Sequence, residues 1–337
     1  MKKIITILKL FLVDILGVNA LFRFLNRDKA VILMYHGICE NDFTLLKGYD
    51  ERHIPKSLFR RQLSYLKRKG YNFVNMSELV DILKGEKKVE RPVVLTFDDG
   101  FTNVMKNAYP IMKEFNARAC LYLISGLIGK DELLWTDHIE TVIRNIGRGN
   151  FGFVFKGEPI RYNLDTKKSS EAAMLDIKRR LKTISNTQRL EHLKQFTERK
   201  IKDIPEEFSI SGVAQIKDLD KEAFEIGSHT RTHSYCNAYT SSKEYEDEIK
   251  GSKADLEKMF GCKIDHFSYP AGLYNNEAVE YVKQSGYKSA VTTWLGLNGK
   301  KTDLFKLKRI GAPESFLLFK AAVSGSYSFL TGLDRAY

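Results

Sequence analysis

From Ala30 onward the chain alternates short apolar, β-branched runs with amphipathic helical stretches, and this order constrains its fold more than any other feature. Such alternation builds a parallel sheet, because each parallel strand needs a long crossover, usually helical, to reach the next. Strands are predicted at Ala30 to Tyr35, Tyr71 to Val74, Val93 to Phe97 and Arg118 to Ile124. After an interruption they resume at Ala223 to Gly227, His266 to Tyr269, Ser289 to Trp294 and Phe305 to Ile310. Between them, Ser57 is read as the N-cap of a helix carrying Phe59, Leu63 and Leu66 and closed by Gly70. Ser77 is read as capping a shorter one, and further helices are expected over Val104 to Phe115, from Ser241 or Ser242, and over Asn276 to Gln284. About seven strands with their helices give an α/β sheet, closed or doubly wound.

The interruption runs over residues 126–215. A helix from about Leu133 is followed by a hairpin, Phe151 to Phe155 and Ile160 to Asn163 with Gly157 near its turn, and by two charged helices between Lys167 and Lys200. We read it as an insertion over one face of the sheet, dividing the main domain into residues 29–125 and 216–312. At 337 residues and 43% hydrophobic content the chain is long enough to bury such a core. Its 54 Lys and Arg against 42 Asp and Glu leave a net charge of +12, which favours an anionic partner. No base-reading motif accompanies that charge, so nucleic acid is not expected. Cys39, Cys120, Cys236 and Cys262 lie far apart, a spacing that suits neither a zinc ribbon nor a disulfide framework.

Residues 1–28 form a long apolar stretch broken by Lys9, Asp14 and Arg23. Charges at those places cost roughly 2.5–3.5 kcal/mol each at a bilayer centre, which disfavours a spanning helix. An amphipathic helix is expected instead, its polar residues Asn19, Arg23 and Arg27 opposite a wide face of Ile, Leu, Val and Phe; it either lies in a membrane interface or packs on the protein's own core. Residues 313–337 form an apolar tail that could share that surface.

Chemistry is concentrated where the strand Val93 to Phe97 ends in Asp98-Asp99-Gly100, and where the strand ending at Gly227 leads to His229-Thr230-Arg231-Thr232-His233. Strand ends are where α/β folds place reactive groups. The spacing of His229 and His233 suggests one side of a helical turn. Two His and one Asp make a three-protein-ligand set that leaves a coordination position open, as catalytic zinc requires. Either motif alone is as well explained by turn chemistry or a surface histidine pair; their joint occurrence favours the site.

Together these motifs resemble the polysaccharide deacetylase family, the NodB-homology domain of carbohydrate esterase family four, over roughly Ala30 to Ala312. The resemblance implies a distorted (β/α) barrel and metal-dependent removal of an N-acetyl group from an amino sugar, in a bacterial cell-surface polysaccharide or its lipid-linked precursor. It implies one divalent ion, zinc before nickel or cobalt, on Asp99, His229 and His233, with Asp98 as general base. His266-Phe267-Ser268-Tyr269-Pro270-Ala271-Gly272 resembles a third motif, in which the N–H after Pro270, that of Ala271, stabilises the oxyanion. Ser268 stands where the family has an Arg that orients the base, and Ala271 where an aromatic residue is usual. The final strand lacks the usual acidic His, but Met34-Tyr35-His36-Gly37-Ile38 resembles a membrane-associated, biofilm-type subgroup in which an early His has that role, so His36 is nominated as general acid.

Tyr269, Trp135 and Trp294 are candidate aromatic surfaces for a sugar, with core packing the safer reading of Trp135 and a close competitor for Trp294, whereas His53, His138 and His192 are expected on solvated faces. Two other readings remain at this level: a metal-dependent phosphoesterase, and a glycan-binding relic of the same barrel. A peripheral membrane protein, on the cytoplasmic face rather than secreted, is the expected setting.

Overall fold

The computed structural model describes residues 10–40, 52–197, 206–313 and 315–327. Its strands in chain order are β1 Val31–Tyr35, β2 Gly37–Cys39, β3 His53–Pro55, β4 Asn72–Phe73, β5 Pro92–Asp99, β6 Ala119–Leu123, β7 Asn150–Phe155, β8 Glu158–Asn163, β9 Phe224–Ser228, β10 His266–Ser268, β11 Ser289–Val291 and β12 Ile310–Gly311. The helices used below are α1 Val18–Leu25, α2 Lys56–Arg68, α3 Met76–Lys84, α4 Tyr109–Glu114, α5 Trp135–Ile146, α6 Lys167–Leu181, α7 Asn186–Thr197, α8 Gly251–Phe260, α9 Asn276–Gln284 and α10 Phe316–Ser324.

Seven strands pair in parallel in the order β11-β10-β9-β6-β5-β1-β12, with β4 added beside β5. The sheet curls until the stretch before β12 meets β11 through Leu307 and Val291, while β12 itself pairs with β1 through Ile310 and Leu33. This is the expected (β/α) barrel. Alternation along each strand sorts the side chains. Leu33, Leu95 and Phe97 face the helices, in a core shared with Phe59, Leu63 and Leu66 of α2. Ile32, Val94, Cys120, Tyr122 and Val291 form a second cluster, together with Met76, Leu79 and Leu83 of α3.

The insertion has its own core, in which Leu134, Ile139, Phe151, Phe153, Ile177, Leu181 and Phe196 pack together. Its hairpin pairs Phe151 with Tyr162 and Val154 with Pro159. Residues 198–205, the end of the second charged stretch, lie outside the described residues, as do 1–9, 41–51, 314 and 328–337.

Several local expectations are corrected. Ser57 is not an N-cap: α2 begins at Lys56 behind Pro55, without a side-chain cap. Nor does Ser77 cap α3, which is closed by a reciprocal capping box of Asn75 and Glu78, leaving Ser77 Oγ 3.1 Å from Nε2 of His266. The strands expected to run to Trp294 and from Phe305 are shorter, being β11 and β12 with a single bridge at Leu307. His53 is fully buried between Phe101 and Phe208, not solvated, and His138 and His192 are half-buried. The N-terminal segment is not one helix over the described residues, since Gly17, in the left-handed conformation at φ 73°, separates a helical run at 10–15 from α1.

Candidate functional site

β5 delivers Asp98 and Asp99 to the end of the barrel. Simple alternation would turn adjacent side chains to opposite faces of a strand. Asp99 breaks it by adopting φ 72°, and Gly100 follows at 88°, so that both carboxylates face one imidazole. Nε2 of His229 lies 3.9 Å from Asp98 Oδ2 and 3.6 Å from Asp99 Oδ1. A left-handed non-glycine residue costs on the order of 1–3 kcal/mol, and such strain persists where the surroundings impose it. Four of the seven such residues among those described, Asp99, Thr230, His233 and Ala271, are in the motifs singled out from sequence.

The second motif is a bend, not the helical turn expected from its spacing. Left-handed Thr230 and His233 fold the loop back so that the two imidazole rings stand 5.0 Å apart. Glu248 holds the bend by accepting both the Arg231 and Thr232 N–H groups at 3.0 Å. Asp255 of α8 pairs with Arg231 at 2.8 Å. Strand β9 can bring this loop close only because Gly227 is a glycine: a Cβ there would lie 2.5 Å from the Tyr122 ring.

Asp99 Oδ1 is 3.6 Å from Nε2 of both His229 and His233, and one donor atom from each residue lies within 4.8 Å of the others. Ligands at about 2.1 Å around a tetrahedral ion are separated by about 3.4 Å, so this donor set fits a zinc-like ion closely. Protonation states fit as well. Burial holds His229 below its ordinary pKa against the pull of Asp98, and burial with the neighbouring His229 holds His233 well below. Nδ1 of His229 faces the Ser268 carbonyl oxygen at 2.8 Å and must donate to it, which leaves the Nε2 lone pair turned toward Asp99. Arg52, just before β3, reaches across, donating to Asp99 Oδ2 at 3.3 Å and pairing with buried Asp137 of the insertion.

Asp98 is set apart from this cluster by its partner. Arg309, on the segment that closes the barrel, grips it with two parallel bonds, Nη1 to Oδ1 and Nη2 to Oδ2, each 2.7 Å. The guanidinium is itself fully buried and donates further to Thr96 Oγ1, Ser268 Oγ and the Thr292 carbonyl. Burial alone would raise the Asp98 pKa, but Arg309, aided by His229, outweighs it and holds the carboxyl at about 2. Sequence reading missed Arg309. The Arg absent at Ser268 is supplied by the residue just before β12, 41 positions later, and no local motif announces it.

His36 sits half-buried between β1 and β2, within electrostatic reach of Asp98 and His233. Its neighbours fix it there. Tyr35 is packed against Phe59 and Phe97, Ile38 is bonded by Asn103 and Asn107, and a Cβ on Gly37 would lie 2.0 Å from His53.

The third motif is divided. Ala271 adopts φ 52° and Gly272 67°, and the Ala271 N–H donates to no acceptor among the described residues. Tyr269 and Pro270 are buried, with the Tyr269 hydroxyl donating to the Phe305 carbonyl, so neither offers a surface to a sugar. Trp135 takes the packing role: it is 7% exposed, packed on Tyr235 and Arg189, and its Nε1–H points to the His233 carbonyl. Trp294, three residues beyond β11, is 46% exposed and is the open aromatic platform of the set.

The family model for polysaccharide deacetylases matches residues 85–290, well over half of the chain. The chain belongs to the polysaccharide deacetylase family. This deacetylase is therefore a hydrolase acting on amide bonds. It is 23% identical over 283 residues to YxkH of Bacillus subtilis, a protein named as a polysaccharide deacetylase, across 84% of this chain and 71% of the relative. It is 23% identical over 185 residues to the poly-β-1,6-N-acetyl-D-glucosamine N-deacetylase of Staphylococcus aureus, across 47% of this chain and 64% of the relative, less than two thirds of the latter's length. Among solved structures, the Streptococcus pyogenes deacetylase PplD superposes with a TM-score of 0.57 at 21% identity, over 84% of this deacetylase and 92% of PplD, which establishes the shared barrel.

Proposed function

We propose that this deacetylase hydrolyses the N-acetyl group of an amino sugar, with a single divalent ion held by Asp99, His229 and His233. The observation that carries the reading is the separation of roles between two adjacent carboxylates. Asp99 is grouped with the two imidazoles, while Asp98 is clamped by Arg309 and kept as an anion able to take a proton. When bound, such an ion lowers the pKa of a coordinated water toward about 7 and polarises the acetyl carbonyl.

The remaining work falls to the chain's own side chains. Asp98 Oδ2, on the side facing His229, accepts the proton of the attacking water. The Ala271 N–H donates to the carbonyl oxygen as negative charge develops on it. His36 gives a proton to the sugar nitrogen as the C–N bond breaks, so that acetate and a free amine leave. Trp294 offers its ring face to the sugar.

The staphylococcal relative, named for a β-1,6-linked N-acetylglucosamine polymer, supports an N-acetylated glycan or its lipid-linked precursor as the substrate class. A glycan-binding relic rests on Ser268 and Arg309 standing where the family pattern departs, and the grip of Arg309 on Asp98 speaks against it. A phosphoesterase with two metals finds little support, since among the described residues one three-donor cluster is present.

Elemental analysis and acetate release from N-acetylglucosamine oligomers test the reading together. Zinc-loaded protein is expected to hold about one ion more than His229→Ala and to release acetate, with the activity lost on chelation and restored by zinc. Equal metal content in the two proteins, or full activity after chelation, overturns the ligand assignment.

A further inference from the structure

Seven of the eleven large hydrophobic side chains exposed among the described residues lie between residues 11 and 25. Ile15, Leu16, Leu21, Phe24 and Leu25 are each more than half exposed. They repeat at helical intervals, Phe11 with Ile15, Leu12 with Leu16 and Leu21 with Leu25, so each short helix shows one apolar face outward.

The polar residues of the same segment are turned inward. Asn19, 3% exposed, donates to Asp14 at 3.0 Å and accepts the Ser324 and Ser326 hydroxyls at 3.3 and 2.7 Å. Asp14 pairs with Lys320 of α10 at 2.6 Å, and the Asn26 amide donates to the Ser324 carbonyl at 2.9 Å. A helix on a water-facing surface buries its apolar stripe and shows its polar one. Here Leu10 and Val13 are buried, yet seven large apolar side chains face outward, and polar bonds from Asp14 and Asn19 help to anchor the segment.

Charge identifies the covering surface. Residues 1–29 carry Lys2, Lys3, Lys9, Arg23, Arg27 and Lys29 against Asp14 and Asp28, and Asp14 is already taken by Lys320. The Arg27 guanidinium lies 4.6 Å over the Phe24 ring, a cation held at the border of the apolar face. Protein interface cores favour aromatic anchors and exclude Lys, whereas Leu, Ile and Phe bordered by Lys and Arg are the composition of helices that lie in a membrane interface. No described helix is long and apolar enough to cross a membrane.

We propose that the outward face of residues 11–25 docks in the interfacial layer of an anionic lipid bilayer, without spanning it. Docking needs no refolding, because Asp14, Asn19 and Asn26 are already bonded to α10, Leu10 and Val13 are already buried, and the exposed apolar side chains already point away from the protein.

Co-sedimentation of the full chain with phosphatidylcholine vesicles, with and without phosphatidylglycerol, tests this in the absence of any sugar substrate. The chain is expected to pellet with the anionic vesicles and less with the neutral ones. The variant Ile15→Gln/Leu16→Gln/Leu21→Gln/Phe24→Gln should bind at least about tenfold more weakly, the change expected from losing a single side chain of this size. All four side chains are exposed, so its circular dichroism and its turnover of a soluble oligomer should match the parent's. Equal pelleting of variant and parent overturns the proposal. So does a parent that ignores vesicles but forms a dimer in light scattering that the variant lacks, for the face would then be a protein interface.

Discussion

Asp98 and Arg309 are the pair on which the proposed chemistry most depends at the residue scale. A bidentate guanidinium fixes both the charge and the rotamer of the carboxylate, and both groups are buried. Arg309→Met leaves a buried carboxylate without its counter-charge, a change that costs about 3–5 kcal/mol in folding stability. Urea unfolding should report that loss, and acetate release should fall at least about tenfold with metal content unchanged; a variant with the parent's stability would show that the pair is not formed. His36 makes a separate prediction. His36→Gln keeps a polar side chain of similar reach but cannot deliver a proton, so turnover should fall by about a hundredfold or more while the ion is retained. Loss of the ion would make His36 a ligand instead.

At the scale of elements, the strands around the site were legible because buried parallel strands read as apolar β-branched runs. Asn276–Gln284, now α9, was read to the residue because its N-cap, amphipathic stripe and end all agree. Caps read from a lone Ser were wrong at Ser57 and Ser77, where Pro55 and the Asn75–Glu78 box set the helix starts. The metal-ligand candidates were legible because each sits in a local motif; Arg309, Glu248 and Arg52 were not, since their roles arise from contacts between distant segments. The outward apolar face of the N-terminal helices was hidden for the same reason: periodicity reveals faces but not which one the fold buries. Gly227 gives this scale its prediction. Gly227→Ala drives a Cβ against the buried Tyr122 ring and the His266 carbonyl, at 2.5 and 3.0 Å, and should destabilise by about 1–3 kcal/mol. Thermal unfolding checks it, and acetate release should fall in parallel because β9 carries His229 two residues further on; an unchanged melting temperature would contradict the close approach.

Across the whole molecule, the barrel confines its titrating groups at both ends of the sheet, and stability should follow pH accordingly. His266, buried at the start of β10 between Ser77 and Ser289, is held by burial at a pKa of about 4. Its unfolded value is near 6.5, so the unfolded chain takes up the proton first as pH falls. The stabilisation is complete above that value and is lost between pH 6.5 and 4, by about 3 kcal/mol. Denaturation midpoints over that range should fall less steeply in His266→Gln, whose amide does not titrate; identical slopes would refute the depressed value. Cleavage of an acetamide with Asp98 as the base is tested by counting both products and the metal in one experiment. Acetate and free amine are quantified from an N-acetylglucosamine oligomer with the zinc-loaded parent and with Asp98→Asn, alongside the metal content of each. Equal amounts of acetate and amine are expected from the parent, with a rate at least about a hundredfold lower from Asp98→Asn and the same metal content in both. A variant within about tenfold of the parent, below what a general base contributes, would contradict it.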